Sequence, residues 1–590
     1  MEKKSVIYII LDALCQKSLT RKVGNRQVMP FLNQLANQSV CFSNMYAQAP
    51  YTEASEVSLL TGENTLDSGG YLFGNGTVGH SVFQDYQNAG YHTLYTFSPY
   101  VYSKSYLLGV DEPIYCRLFS IEPLILYRLG YYRDKYLDGS ISPEQMQVCC
   151  ILLEEAFETW CGQCEALLQN APSAAMLQDW IGDRDAFRAV CEEISRQRAI
   201  FAEDQASYVE EIFQQWDAHI LRKLNKQYIK RTPLPFTQPL REEFQSRLEK
   251  AQKRYSKIVK KQWLDLNYVA GMAFRKPNGV EDMKKTVHAY LNHYRNTDIK
   301  NYLFTINENS KPDVSLNRML DTFLERIVPL HKQGQPVYAC IHAQDFHLPS
   351  LFHSLDTADY NLNRQELEQA LSLLNAMDNR YRGNILADLS AQYCDGQLKN
   401  FFERLQAELG EEFIFVVTAD HGYPCYENPP RPMVYNQTYT EAFHVPYVAW
   451  DGVHEKQISD MYSDMDALHF LKQMAGVEPC APIAPREHIL CEYGGPGCPD
   501  IGIKPIWYTY IDEEYRVSAE CSLTEDISLS KLTGVFRLQK DPAQRIDLQK
   551  RAGKIPQMER ICRTIQARHL WLRERYCQDR FLETTLQKLK

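Results

Sequence analysis

SVIYIILD, residues 5–12, is a run of β-branched and apolar side chains that ends in a carboxylate. Apolar positions without polar alternation describe a strand buried on both faces, as in a parallel sheet covered by helices. Asp12 then projects from the strand's C-terminal end, the edge on which open α/β sheets build their sites. Working outward, Pro30–Gln38 reads as a short amphipathic helix with Phe31, Leu32 and Leu35 on its apolar face, and Val40–Tyr46 reads as extended. Phe83–Ala89 reads as a helix stopped at Gly90, and Tyr91–Phe97 (YHTLYTF) as a strand. Pro336–His342 (PVYACIH), Glu412–Ala419 (EFIFVVTA) and Val445–Trp450 (VPYVAW) share the strand texture, while Arg364–Leu409 is helical with room for breaks. This alternation specifies an α/β core.

Between residues 116 and 331 the texture changes. Glu144–Gln169, Asp185–Leu224, Arg241–Leu266, Val280–Tyr294 and Leu316–Leu330 are charged and amphipathic at helical spacing, with few β-branched runs. We read 116–331 as a helical insertion or cap, which leaves 1–115 and 332–500 as the catalytic core. The short runs WYTYID and EYRVSAE and a basic helical tail from Met558 make 501–590 a small antiparallel α+β subdomain at the C-terminus. The basic stretch Lys250–Lys261 lies on a helix that opens with Glu and Gln, and reads as a solvated face rather than a nucleic-acid patch.

The 590-residue chain carries a net charge of −10, which argues against a general nucleic-acid-binding surface. No window approaches the roughly 18 apolar residues of a membrane span, so no transmembrane anchor is expected. The first apolar run, Val6–Leu14, contains Asp12 and has no small-residue cleavage site after it, as suits a buried strand better than a signal peptide. Seventeen cysteines without a spaced framework fit reduced thiols, and with them a cytoplasmic location. TWCGQC at 159–164 has the spacing of a redox motif but lies inside a helical pattern, and reads as coincidence.

The stretch that carries chemistry is AQAPYTEASEVSLLTGE, residues 47–63. Its apolar run describes a helix that starts near Ala54 and stops at Gly62, which puts Thr52 at the helix mouth. Free backbone N–H groups and the positive dipole end favour an anion there. The competing reading makes Thr52 an ordinary N-terminal cap. Asp12 and the pair Asp420-His421 stand at two other strand ends, with Gly422 following. Carboxylate oxygen, imidazole nitrogen and hydroxyl together suit Zn²⁺ or Mn²⁺, and a metal touching the hydroxyl would activate it for attack. Taken singly, Asp12 could cap the next helix and Asp-His-Gly could be a turn; their joint position at strand ends gives them weight.

In chain order, IYIILDALCQKSL, MPFLNQLANQSVCFSNMYAQAP, YTEASEVSLLTGE, AGYHTLYTF, DFHLP, VVTADHG, EAFHVPYVAW and FRLQKDPAQRIDLQ resemble successive segments of the sulfatase and alkaline phosphatase superfamily. The resemblance spans both ends of the core and leaves out the helical insertion. It implies a large, mostly parallel central sheet flanked by helices, with Thr52 at the nucleophile position. It implies that Asp12, Thr52, Asp420 and His421 bind a divalent metal ion, Zn or Mn rather than Ca. It also implies that His347 contacts the ester oxygens; a polar Asp-Phe-His run directly after a buried strand is costly unless used, which favours that role and makes Asp345 a candidate to orient the ring. His444 stands where sulfatases have an arginine; it would bind phosphate oxygens, protonate the leaving group or ligate a second metal, or else be a strand-end histidine satisfied by backbone.

The departures from the pattern bear on the chemistry. Sulfatases carry C/S-x-P-x-R, whose first residue is modified to formylglycine, whereas this chain has Thr52-Glu53-Ala54-Ser55-Glu56. The usual second aspartate after the first strand is Ala13, the Lys and His expected after GYHTLYT are Ser98 and Tyr100, and no lysine lies between Asn400 and Glu455. An unmodified threonine with Asp-His resembles the phosphoryl-transfer branches instead: lipoteichoic-acid synthases, phosphoethanolamine transferases and phosphodiesterases. The leading expectation is a metal-dependent hydrolase or transferase that cleaves a phosphate ester or diester through a covalent Thr52 intermediate. Its substrate would be a small-molecule, glycan-derived or lipid-derived ester. Two alternatives stand beside it: a sulfuric ester hydrolase with a diverged site, and a non-catalytic binding or scaffold protein that uses the insertion as its surface.

Overall fold

The computed structural model describes residues 3–67, 78–97, 104–117, 121–224, 314–346, 364–378, 385–423, 439–494, 505–544 and 546–576, with isolated positions at 246, 250, 253, 586 and 587. The central sheet contains β1 (Ser5–Leu11), β2 (Val40–Tyr46), β3 (His92–Phe97), β4 (Glu112–Tyr115), β5 (Val337–Ala343), β6 (Phe413–Thr418), β7 (His444–Trp450) and β8 (Lys456–Ser463). Their spatial order is β8-β2-β7-β6-β1-β5-β3-β4. All residues of β1 are buried, which is why its sequence needs no polar face. It pairs in parallel with β5 on one side and β6 on the other, and Ile10 lies opposite His342 and Thr418. Only β7 runs against its neighbours, β2 and β6. The sheet is therefore large and mostly parallel, as the strand texture implied.

Helices cover the sheet and extend the chain between strands. They include α1 (Pro30–Ala36), α2 (Thr52–Thr61), α3 (Ile121–Leu137), α4 (Pro143–Leu168), α5 (Arg184–Glu203), α6 (Leu316–Lys332) and α7 (Ile385–Leu409). The helical stretch 364–409 is broken as anticipated, with a separate helix at Arg364–Ala376 ahead of α7. TWCGQC falls in the second half of α4, and its Cys161 and Cys164 are free thiols. The expected helices at Arg241–Leu266 and Val280–Tyr294 lie outside the described residues, apart from 246, 250 and 253. Among the described residues, no helix is long and apolar enough to cross a membrane.

A second sheet, antiparallel, contains β9 (Ile489–Tyr493), β10 (Ile506–Ile511), β11 (Tyr515–Cys521) and β12 (Leu532–Arg537). It starts earlier than the division at residue 501 anticipated: β9 pairs with β10, Ile489 opposite Ile511. The helix at the C-terminal end, α8 (Met558–Tyr576), packs on β10 and also grips the core. Arg568 on α8 donates to Glu492 on β9 at 2.6 Å and to Asp67, beyond α2, at 2.6 Å. This partly buried bridge ties the small sheet to the segment that follows α2.

The core helices are held by polar contacts that bridge distant parts of the chain. Asp395 on α7 accepts hydrogen bonds from the backbone N–H groups of Phe31 at 2.9 Å and Leu32 at 2.8 Å, so it satisfies the open N-terminal turn of α1. Asp395→Ala leaves those N–H groups buried without acceptors, and is expected to cost about 1–3 kcal/mol in chemical denaturation without a change in the denaturant slope.

Candidate metal centre

The edge of the sheet where β1, β5 and β6 end is lined with ionisable groups, and each arrives there for a local reason. Past Asp12 the chain turns at Ala13, whose backbone is left-handed with φ of 68°. That turn aims the Ala13 N–H at Asp420 Oδ1, 3.1 Å away. The His421 N–H donates to the same oxygen at 2.9 Å. Oδ2 of Asp420 is left buried with no hydrogen-bond partner among the described residues. Gly422 completes the Asp-His-Gly stretch because the Glu441 carbonyl approaches so closely that a Cβ would sit 1.9 Å from it. The Gly422 N–H is bonded to the Ala442 carbonyl at 2.9 Å.

His421 is oriented by its own loop. Its Nδ1 donates to the Gly422 carbonyl at 3.0 Å, which turns Nε2 towards the carboxylates. Nε2 lies 3.4 Å from Asp12 Oδ1, 3.7 Å from Asp420 Oδ2 and 3.5 Å from Thr52 Oγ1.

On α2, Tyr51 takes the N-cap position and Thr52 is the first helical residue, two positions earlier than the apolar run indicated. Thr52 is therefore not the cap. Its hydroxyl donates to Asp12 Oδ2 at 3.3 Å. Gly62 ends the helix in the left-handed conformation, as read from the sequence. Glu56 follows Thr52 by four residues and so shares its helix face. Its carboxylate, fully buried, lies 3.1 Å from His342 Nδ1 through Oε1. His342 Nε2 in turn lies 3.5 Å from Asp12 Oδ2 and 3.8 Å from Asp420 Oδ2.

One donor atom from each of Asp12, His342 and Asp420 falls within 4.8 Å of the others, the spacing of a cation site. Burial pushes the His342 pKa down, but the Glu56 charge, the Asp12 hydrogen bond and the two aspartate charges outweigh it and hold the imidazole at about 9. His421 also reaches about 9: burial opposes, and the charges of Asp420 and Asp12 prevail. Both rings are thus held towards the protonated form, and a divalent ion would compete with those protons for the ring nitrogens. The buried Oδ2 of Asp420, the convergent carboxylates and the two imidazoles all fit such an ion.

His342 and Glu56 were not among the residues singled out from the sequence. A signal for each exists: a histidine next to the end of an otherwise apolar strand, and an acid in the middle of SEVSLL. Both positions bury a polar group that must find a partner.

His444, at the start of β7, donates from Nε2 to the Ser43 carbonyl at 2.7 Å, and its ring stacks on Tyr46 with centroids 4.9 Å apart. Although part of the residue reaches solvent, its surroundings push its pKa down to about 4. Among the described residues no hydrogen bond or ring contact joins it to Thr52. Asp345 accepts from the Leu316 N–H at 2.9 Å, at the start of α6. His347 lies outside the described residues.

The mostly parallel sheet and the buried carboxylate–imidazole cluster at its strand ends define the class of the protein, a hydrolase built on a helix-flanked α/β core. The Sulfatase family model matches residues 4–115 and 252–477, more than half of the chain, and the chain belongs to the sulfatase family. No curated protein matches the sequence. Among solved structures, the chain is similar to the phosphonate monoester hydrolase of Silicibacter pomeroyi at 13% identity, over 98% of this chain and 96% of that one, with a TM-score of 0.44. It is similar to the phosphonate monoester hydrolase of Agrobacterium radiobacter at 13% identity, over 98% and 97%, with a TM-score of 0.43. It is similar as well to a 2-O GAG sulfatase at 12% identity, over 98% and 93%, with a TM-score of 0.41.

Gly422 offers a check on how the His421 loop is set. Gly422→Ala must displace the Glu441 backbone, and is expected to cost about 1–3 kcal/mol in denaturant unfolding, with the loss visible as a lower midpoint.

Proposed function

We propose that the protein is a metal-dependent hydrolase or transferase of phosphate esters or diesters, with Thr52 as its nucleophile. The observation that carries this reading is the position of the Thr52 hydroxyl, 3.3 Å from Asp12 and 3.5 Å from His421 at the first turn of α2. Asp12, Thr52, Asp420 and His421 would hold the ion, with Zn²⁺ or Mn²⁺ favoured by the nitrogen donors. When bound, it would neutralise the charge of the phosphoryl group and favour the alkoxide form of the threonine.

The chain's own residues account for the remainder. Asp12 accepts the hydroxyl hydrogen bond and so fixes the direction of the Thr52 oxygen. The open N–H groups of α2 favour an anion at its mouth. In the first step the Thr52 oxygen bonds to phosphorus, its proton passes to a neighbouring base, and the ester oxygen leaves with a proton from solvent. In the second, water or an acceptor alcohol displaces the threonine oxygen and regenerates the hydroxyl. His347, by the resemblance of its segment, is assigned to the ester oxygens. His444 stays outside this scheme, since its Nε2 proton is committed to the Ser43 carbonyl and its ring is neutral at pH 7.

Membership of the sulfatase family favours a second reading, hydrolysis of a sulfate ester. Against it stands the sequence Thr52-Glu53-Ala54-Ser55-Glu56, which has neither Cys nor Ser at position 52 and lacks the proline and arginine of the formylglycine motif. Side-by-side turnover of aryl phosphate monoesters, aryl phosphate diesters and aryl sulfates separates the two, with phosphate turnover expected to dominate. Thr52→Ala is expected to reduce that turnover at least about 10³-fold while the fold, followed by circular dichroism, is kept. Undiminished turnover in the variant removes Thr52 from the mechanism, and dominant sulfate turnover establishes the second reading.

A further inference from the structure

We propose that His342 is a direct ligand of the metal centre and that Glu56 is the residue that positions it. The inference rests on the metal-centre reading above and adds to it a nitrogen donor and the carboxylate behind that donor.

The geometry points one way along the imidazole. Nδ1 faces Glu56 Oε1 at 3.1 Å, and Nε2 faces the gap between Asp12 Oδ2 at 3.5 Å and Asp420 Oδ2 at 3.8 Å. A carboxylate on one ring nitrogen fixes the tautomer and leaves the other nitrogen for a metal. The ring is anchored from the backbone as well: the His342 N–H donates to Thr96 Oγ1 on β3 at 2.6 Å. Glu56 is 0% exposed, in a helix whose other residues between Ala54 and Leu60 are also buried. A buried carboxylate is costly unless it is paired, and the partner found here is the imidazole.

Ala13 explains what the pair replaces. Its methyl group offers no donor atom, and its backbone N–H binds Asp420 Oδ1, so the turn after β1 contributes one carboxylate, Asp12. His342 enters the same space from the neighbouring strand, one position from the end of β5. The donor set becomes two carboxylates, two imidazoles and a hydroxyl, which suits Zn²⁺, Mn²⁺ or Co²⁺ and disfavours Ca²⁺, a cation of all-oxygen sites.

The test uses the full-length chain stripped of metal, as wild type, His342→Ala and Glu56→Gln, each followed by circular dichroism and by calorimetric titration with Zn²⁺ and Ca²⁺. Co²⁺ loading, read by visible absorption, reports the ligand set independently of activity. Wild type is expected to bind Zn²⁺ far more tightly than Ca²⁺. His342→Ala is expected to lose at least about 100-fold in Zn²⁺ affinity and to shift the Co²⁺ bands, and Glu56→Gln to lose about 10–100-fold. If folded His342→Ala matches wild type in Zn²⁺ affinity and Co²⁺ spectrum, His342 is not a ligand. The isosteric Glu56→Gln keeps the inference open to refutation if His342→Ala fails to fold, because wild-type affinity and spectrum in that variant refute the pairing. Wild type that binds none of these ions overturns the metal centre itself, an outcome distinct from either of these.

Discussion

Asp12, Glu56 and Asp420 are each fully buried at one edge of the sheet, and three carboxylates cannot share a dry pocket without positive charge among them. That constraint organises this part of the molecule. Compensation comes from His342 and His421, whose imidazoles are held at about 9 by the carboxylates around them. A divalent ion would replace two protons with two charges on one atom and leave the same balance. Once Asp12 and Asp420 are set by their strands, the surrounding side chains have little freedom in charge.

The sheet makes this concentration of charge feasible. β1 lies between β5 and β6, so the ends of three parallel strands place Asp12, His342 and Asp420 side by side. The short helix Thr440–Phe443, just before the antiparallel β7, supplies the Glu441 and Ala442 carbonyls against which the Asp-His-Gly turn is pressed. α2 then arrives from β2 with its first turn over the strand ends, and Thr52 and Glu56 fall on its inner face one turn apart. Strand order and helix period, rather than any single loop, bring Asp12, His342, Asp420 and Thr52 to one edge of the sheet, with Glu56 behind His342.

Much of this was legible in the sequence because burial on both faces leaves a strong mark. SVIYIIL, PVYACIH and EFIFVVTA mark the three central strands, and Asp12 and Asp420-His421 stand together at the ends of two of them. The first turn of α2 was placed two residues late, because Thr52 and Glu53 are polar and the apolar run begins beyond them. β9 was assigned to the core because ILCEY carries no sign of which sheet it joins; that depends on a pairing with β10 that no local pattern encodes. His342 and Glu56 were passed over for a related reason. Each is an ordinary residue within its own segment, and each acquires meaning only from a neighbour far away in the chain.

Seen together, the departures from the sulfatase pattern are not independent losses. The residue four places after Thr52 is Glu56 instead of arginine, and the residue after Asp12 is Ala13 instead of aspartate. An arginine at 56 would set a second cation against His342 in a buried space, and an aspartate at 13 would add a fourth carboxylate to the cluster. Glu56 with His342 and Ala13 with Asp420 keep the count of charges in balance while exchanging an oxygen donor for a nitrogen donor. Thr52 joins the same arrangement, since its hydroxyl donates to Asp12. The altered helix face and the altered strand end are therefore two sides of one electrostatic solution, and changing either alone would leave a buried charge without its partner.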